Sequence, residues 1–140
     1  MIRVMIIVLI IGQGPATGKE MFFSAEQLKN YCNSISYDGS VKSAKTEATA
    51  DALTCTEYIK GIVDAFGFSV WVTNTQPFIC IPEGTTAISL INVVKYFMFR
   101  NKNEYQFYET PAAAIVTIAL TQAFPCPGAE DNPFENDILW

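Results

Sequence analysis

The chain contains no histidine. That removes the usual Ser-His-Asp and Cys-His arrangements, and any H-E-x-x-H helix. Cysteine is scarce as well. There are four, Cys32, Cys55, Cys80 and Cys126, and the nearest two stand 23 positions apart. Without close C-x-x-C pairs or histidine there is no zinc pattern, and no metal or cofactor is expected. No glycine-rich phosphate loop follows a strand-like segment. Basic residues are few: 9 Lys+Arg against 14 Asp+Glu, a net charge of −5. Such a balance disfavours nucleic acid and anionic lipid and favours encounter with a basic partner, although solubility alone also accounts for it. Aspartate and glutamate leave a glycosidase-type carboxylate pair formally open. The acids are scattered, however, mostly on segments that read as solvent-facing. The sequence lacks catalytic equipment and reads as a binder, with no catalytic residues to assign.

Long apolar runs are also missing, with one exception. Met1 and Arg3 give a positively charged start, and Met5 to Ile11 form an unbroken run, MIIVLII. Ala16 and Gly18 then precede Lys19 as an A-x-G cleavage site. This layout predicts that residues 1–18 are a cleaved secretory signal peptide. A membrane anchor is the alternative, but a span needs about 20 apolar residues. About 120 residues then remain, enough for one hydrophobic core. In an exported chain an even cysteine count implies two disulfides and no free thiol. Free buried cysteines are the alternative for a cytosolic chain.

What is present reads as helices. Ser24 followed by Gln27 predicts a capping box opening a first helix, with Phe23 and Leu28 as a hydrophobic staple and Leu28, Tyr31, Cys32 and Ile35 on one face. A loop follows around Asp38-Gly39-Ser40. Ala48, Ala52, Cys55, Ile59, Ile62, Phe66 and Val70 form one stripe of a long second helix. Gly61 lies within it, explained by a close helix approach or by chance. Its end is open, because Phe68 to Val72 is strand-like by propensity; Thr73 to Pro77 is a turn. Thr85 or Thr86 can cap a third helix carrying Ile88, Ile91, Val94, Phe97 and Met98. Thr110-Pro111 predicts an N-cap and then proline at the first position of a fourth helix, ended by Pro125-Cys126-Pro127. Residues 128–140 hold Glu130, Asp131, Glu135 and Asp137 without Lys or Arg, the composition of an acidic, mobile tail.

The expected fold is all-α: a compact bundle of four main helices stapled by two disulfides. Antiparallel helices with short loops place Cys32 and Cys55 at one end and Cys80 and Cys126 at the other. The expected pairs are therefore Cys32–Cys55 and Cys80–Cys126. A Cys55–Cys80 bridge would have to span a helix of roughly 30 Å.

Five segments together resemble a known family: CTEYIKGIVDAF (Cys55–Phe66), FICIPEGTT (Phe78–Thr86), VVKYF (Val93–Phe97), TPAAAIVTIAL (Thr110–Leu120) and AFPCP (Ala123–Pro127). In order and spacing they are similar to the Rap/Tai immunity proteins, which protect bacteria from peptidoglycan amidases delivered by type VI secretion. The chain departs from that pattern at Glu57, where the family usually has glycine, and at Asn101-Lys102-Asn103-Glu104, in place of a His-Pro-Glu element. The resemblance implies an all-helical immunity-protein-like domain over residues 19–127, a periplasmic location, a homodimer, and inhibition of a secreted amidase by plugging its groove. After signal cleavage no membrane contact is implied. A periplasmic stress or chaperone-like helical protein, without a dedicated toxin partner, is the alternative.

The expected plug is the loop from Asn101 to Glu109. It offers Tyr105, Phe107 and Tyr108 as anchors and Glu104 and Glu109 as charges, the composition of a binding hot spot. The turn around Glu83 is the second candidate. Tyr105 and Phe107 could instead simply cover the core. The crowd of aromatics from Tyr96 to Tyr108 favours a self-association surface.

Overall fold

The computed structural model describes residues 23–103 and 109–127. The signal-peptide and tail expectations, and Glu104, Tyr105, Phe107 and Tyr108 of the expected plug, lie outside the described residues. Four helices follow one another: α1 (Ala25–Cys32), α2 (Thr46–Thr73), α3 (Ala87–Arg100) and α4 (Ala112–Ala123). The all-α expectation therefore holds, and so do both cysteine pairs, Cys32–Cys55 and Cys80–Cys126, with no free cysteine. Among the described residues no helix is long and apolar enough to cross a membrane.

Helix α1 starts where its cap dictates. Ser24 Oγ accepts from the Gln27 amide at 3.2 Å, and Gln27 Oε1 accepts from the Ser24 amide at 2.9 Å. This capping box satisfies two donors that the helix itself leaves open, a contribution of about 1 kcal/mol. Phe23 does pack on the core, but its ring lies on Tyr31 and Tyr58, at 5.4 and 4.6 Å. Only eight residues long, α1 is far below the length at which a helix persists alone in water. Burial of Ala25, Leu28 and Cys32 and the bridge to Cys55 hold it.

The α1–α2 connection turns at Asp38-Gly39-Ser40. The Ser40 amide and hydroxyl both donate to Asp38 Oδ1, at 2.9 and 2.7 Å, and hold that exposed carboxyl below its usual pKa. Gly39 has a φ of 89° and lies against Ile88, where an added Cβ would come within 3.2 Å. Backbone conformation and close approach thus both require glycine. Gly61 differs: it is exposed, and nothing lies within 4 Å of an added Cβ, so no helix approach explains it.

Helix α2 is 28 residues long, roughly 42 Å. It runs through the strand-like Phe68–Val72 segment and stops at Asn74, which takes the left-handed conformation. The expected stripe is real but buried only in part. Ala52, Cys55 and Ile59 are core, whereas Ile62, Phe66 and Val70 are half-buried. In the last turns Phe68, Trp71 and Val72 are exposed. Helix α3 takes Thr86 as its cap, the hydroxyl accepting from the Ser89 amide at 3.2 Å. Helix α4 starts one residue later than expected, since Pro111 is itself the N-cap. Along it Ala112, Ile115, Val116, Ile118, Ala119, Leu120 and Thr121 are all buried. A helix apolar on nearly all sides is a central helix, and α4 fills that role.

Candidate partner-binding surface

The described residues on either side of positions 104–108 are firmly held. Before them, the Asn101 amide and side-chain Nδ2 both donate to the Phe97 carbonyl, at 3.2 and 2.8 Å, and Lys102 Nζ sits 4.2 Å from the centre of the Phe99 ring. After them, the Ala25 amide donates to the Thr110 carbonyl and the Ala112 amide to the Phe23 carbonyl, both at 2.9 Å. Ser24 and Pro111 pair across this contact as an isolated antiparallel bridge. The capped start of α1 therefore pins the start of α4. Of the expected plug residues, Glu109 is described, and it is exposed.

Glu83 occupies an exposed turn. The Thr85 amide and hydroxyl donate to the Pro82 carbonyl at 3.1 and 2.7 Å, and Gly84 takes a φ of 82°. Helix α3, roughly 21 Å long, separates this turn from Asn101, so the structure does not bring Glu83 to the start of the loop.

Sequence reasoning missed two features. The first is an apolar overhang on α2. Phe68, Trp71 and Val72 are 65%, 77% and 57% exposed, beside a groove of about 210 Å³ between Val63, Phe66 and Val70 on one side and Phe78, Ile79 and Ile81 on the other. Phe66 meets Phe78 edge-on at 5.1 Å, and the backbone pairing of Cys80 with Phe124 holds the far wall. The signal was the run FGFSVWV, too apolar for a helix end facing water. The second is Lys95, 8% exposed within the α3 stripe. Its ammonium donates to the Ile35 carbonyl and lies 4.5 Å from the Tyr37 ring centre. Burial, and then the nearby charge of Lys42, push its pKa below the usual lysine value. The signal was its register, four residues after Ile91 and three before Met98. Asn92 supports the same loop by donating to the Tyr37 carbonyl at 2.8 Å.

None of these features is a catalytic constellation. Residues 24–126 match the Rap1a immunity proteins. The chain belongs to this family. The match runs from the capping serine of α1 to the last cysteine, so it covers all four helices and both disulfides. No curated protein and no solved structure matches the chain. Family membership makes it an immunity protein directed at a secreted effector, and its two disulfides suit an oxidising compartment.

Proposed function

We propose that this protein works in the periplasm after removal of residues 1–18, where it binds a type VI secreted peptidoglycan amidase and blocks its catalytic groove without any catalysis of its own. The fastening of Asn101 to α3 and of Thr110–Ala112 to α1 carries this reading. A loop held at both ends meets its partner with less ordering entropy to lose than a free one. Tyr105, Phe107 and Tyr108 are its anchors, flanked by Glu104 and Glu109, and the exposed turn at Glu83 is the alternative site. Single alanine replacement of Tyr105, Tyr108 and Glu109 tests it. At least one is expected to weaken binding to the cognate amidase by about 2 kcal/mol, roughly thirtyfold, with thermal stability near wild type. Three variants that bind normally, or three that unfold, would overturn the assignment.

The protein also self-associates in this reading, as a homodimer. Tyr96 and Phe99 on α3 are 58% and 60% exposed, and the α2 overhang adds further apolar surface. Large exposed apolar side chains on a small domain favour an interface. Sedimentation at tens of micromolar is expected to show a dimer; a monomer at that concentration would exclude it.

A further inference from the structure

The described chain stops beside the groove on α2. Val63, Phe66 and Val70 of α2 line one side, Ile79 and Ile81 the other, and Leu120 of α4 contributes from the core. No polar side chain lines it. Val63, Val70, Ile79 and Ile81 are only half-buried. Gly67 borders the same space, is exposed, and among the described residues has nothing within 4 Å of an added Cβ. Glycine is a poor helix former, and no packing among the described residues requires one here. A glycine on an apolar groove does suit the close approach of a further segment.

The path of the chain says which segment that is. Pro125 pairs with Ile79, and Cys126 is bonded to Cys80, so the chain reaches Pro127 at the wall of the groove itself. Residues 128–140 follow. Phe134 stands nine positions after Pro125, a reach of up to roughly 30 Å. The α2 wall from Val63 to Val70 is only roughly 10 Å long. At the other described end, Phe23 stacks on Tyr31 and Tyr58, neither of which lines the groove. Composition agrees with the path. The acids Glu130, Asp131, Glu135 and Asp137 suit water, but Phe134, Ile138, Leu139 and Trp140 do not. Segments that stay solvated are poor in aromatic and aliphatic side chains. A short tether also holds its end at an effective concentration in the millimolar range, so a weak apolar contact suffices to populate docking.

We infer that residues 134–140 of this same chain dock in the groove, with Phe134, Ile138, Leu139 and Trp140 against Val63, Val70, Ile79 and Ile81 and the acids left in water. Phe68, Trp71 and Val72 do not line the groove, so the surface proposed for self-association stays uncovered. The docking does not rest on the amidase reading, and its test uses no amidase.

Trp71 and Trp140 are the two tryptophans of the chain, so Trp71→Phe in the full chain leaves Trp140 as the single reporter. Its emission is expected at shorter wavelength than in the urea-unfolded protein. It should stay there on dilution from about 50 µM to about 1 µM, because an intramolecular contact does not obey mass action in protein concentration. Adding Gly67→Glu is expected to return the emission to the unfolded position, since the new side chain enters the groove and repels the acids of the segment. Glutamate is the better helix former, so helix content and thermal stability should hold. A second measurement avoids any change in α2. Trp140 lies outside the family match, and Trp140→Ala in the otherwise unchanged chain is expected to move the methyl resonances of Val70, Ile79 and Ile81 while leaving those of Val94 and Ile115 in the core. This measurement decides if Gly67→Glu unfolds. Trp140 emission already at the unfolded position would overturn the inference. So would a long-wavelength shift on dilution, which assigns the groove to a second copy. Emission unmoved by Gly67→Glu, or groove methyls unmoved by Trp140→Ala, would overturn it as well.

Discussion

Replacing Cys80 and Cys126 together by alanine is expected to lower stability by about 4 kcal/mol, from loop-closure entropy in the unfolded chain across their separation of 46 residues. The same arithmetic gives about 3.4 kcal/mol for Cys32 and Cys55, 23 apart. Against a total of about 5–15 kcal/mol for a domain, either loss is large. A melting temperature lower by roughly 15 °C or more follows for the first variant. What the bridge holds also matters. The segment from Asn74 to Thr86 has no fully buried residue; Phe78, Ile79, Cys80 and Ile81 are half-buried. Apart from the bridge, backbone pairing of Cys80 with Phe124 and of Ile79 with Pro125 ties it down. Amides of this segment should therefore exchange faster in the variant than those of α3 and α4. Thermal unfolding and amide exchange of the double variant, compared with wild type under non-reducing conditions, measure both effects. A loss below about 1 kcal/mol would show that the unfolded chain is not constrained as loop closure requires.

The capped helices and the cysteine pairing were legible in the sequence because each rests on short-range chemistry. Ser24 with Gln27, and Thr86 with Ser89, are satisfied within one turn, and no distant residue competes for them. The cysteine pairs followed from helix order alone. What was not legible depends on where each helix ends relative to its neighbours. The α2 stripe from Ala48 to Val70 is continuous in sequence, yet it is fully buried only from Ala52 to Ile59, since burial needs a partner and periodicity does not supply one. The aliphatic residues of α4 surround its axis, so no single face stood out, and its central position became clear only once α1 and α3 were seen packed against it. For the site, the fastening of the loop ends was foreshadowed by the Thr110-Pro111 pair, although α1 does the pinning through Ala25 and Phe23. The α3 stripe was read through its apolar members, and Lys95 was passed over because lysine is rarely buried.

Leu28→Ala is expected to destabilise the protein by about 3–4 kcal/mol, whereas Leu53→Ala changes stability by less than about 0.5 kcal/mol. Both are helical leucines, but Leu28 is fully buried and Leu53 is 59% exposed. Leu28 is also the one large aliphatic side chain that α1 contributes to the core, beside Ala25 and Cys32. Its cavity has little room to collapse. The helix is locked on one side by the Cys32–Cys55 bridge and on the other by the Ala25–Thr110 and Phe23–Ala112 hydrogen bonds, so the surrounding atoms cannot follow the missing side chain. A cavity that stays open puts the cost in the upper part of the range seen for leucine truncation. Those same hydrogen bonds hold Thr110 and Ala112, next to the proposed plug, so loosening α1 reaches it. The Ala112 amide should lose exchange protection in Leu28→Ala and keep it in Leu53→Ala. Urea unfolding of both variants, read with exchange at Ala112, decides the point. Equal, small costs for the two leucines would mean that α1 lies outside the cooperative core, and the pinning of α4 by α1 would then have to be abandoned.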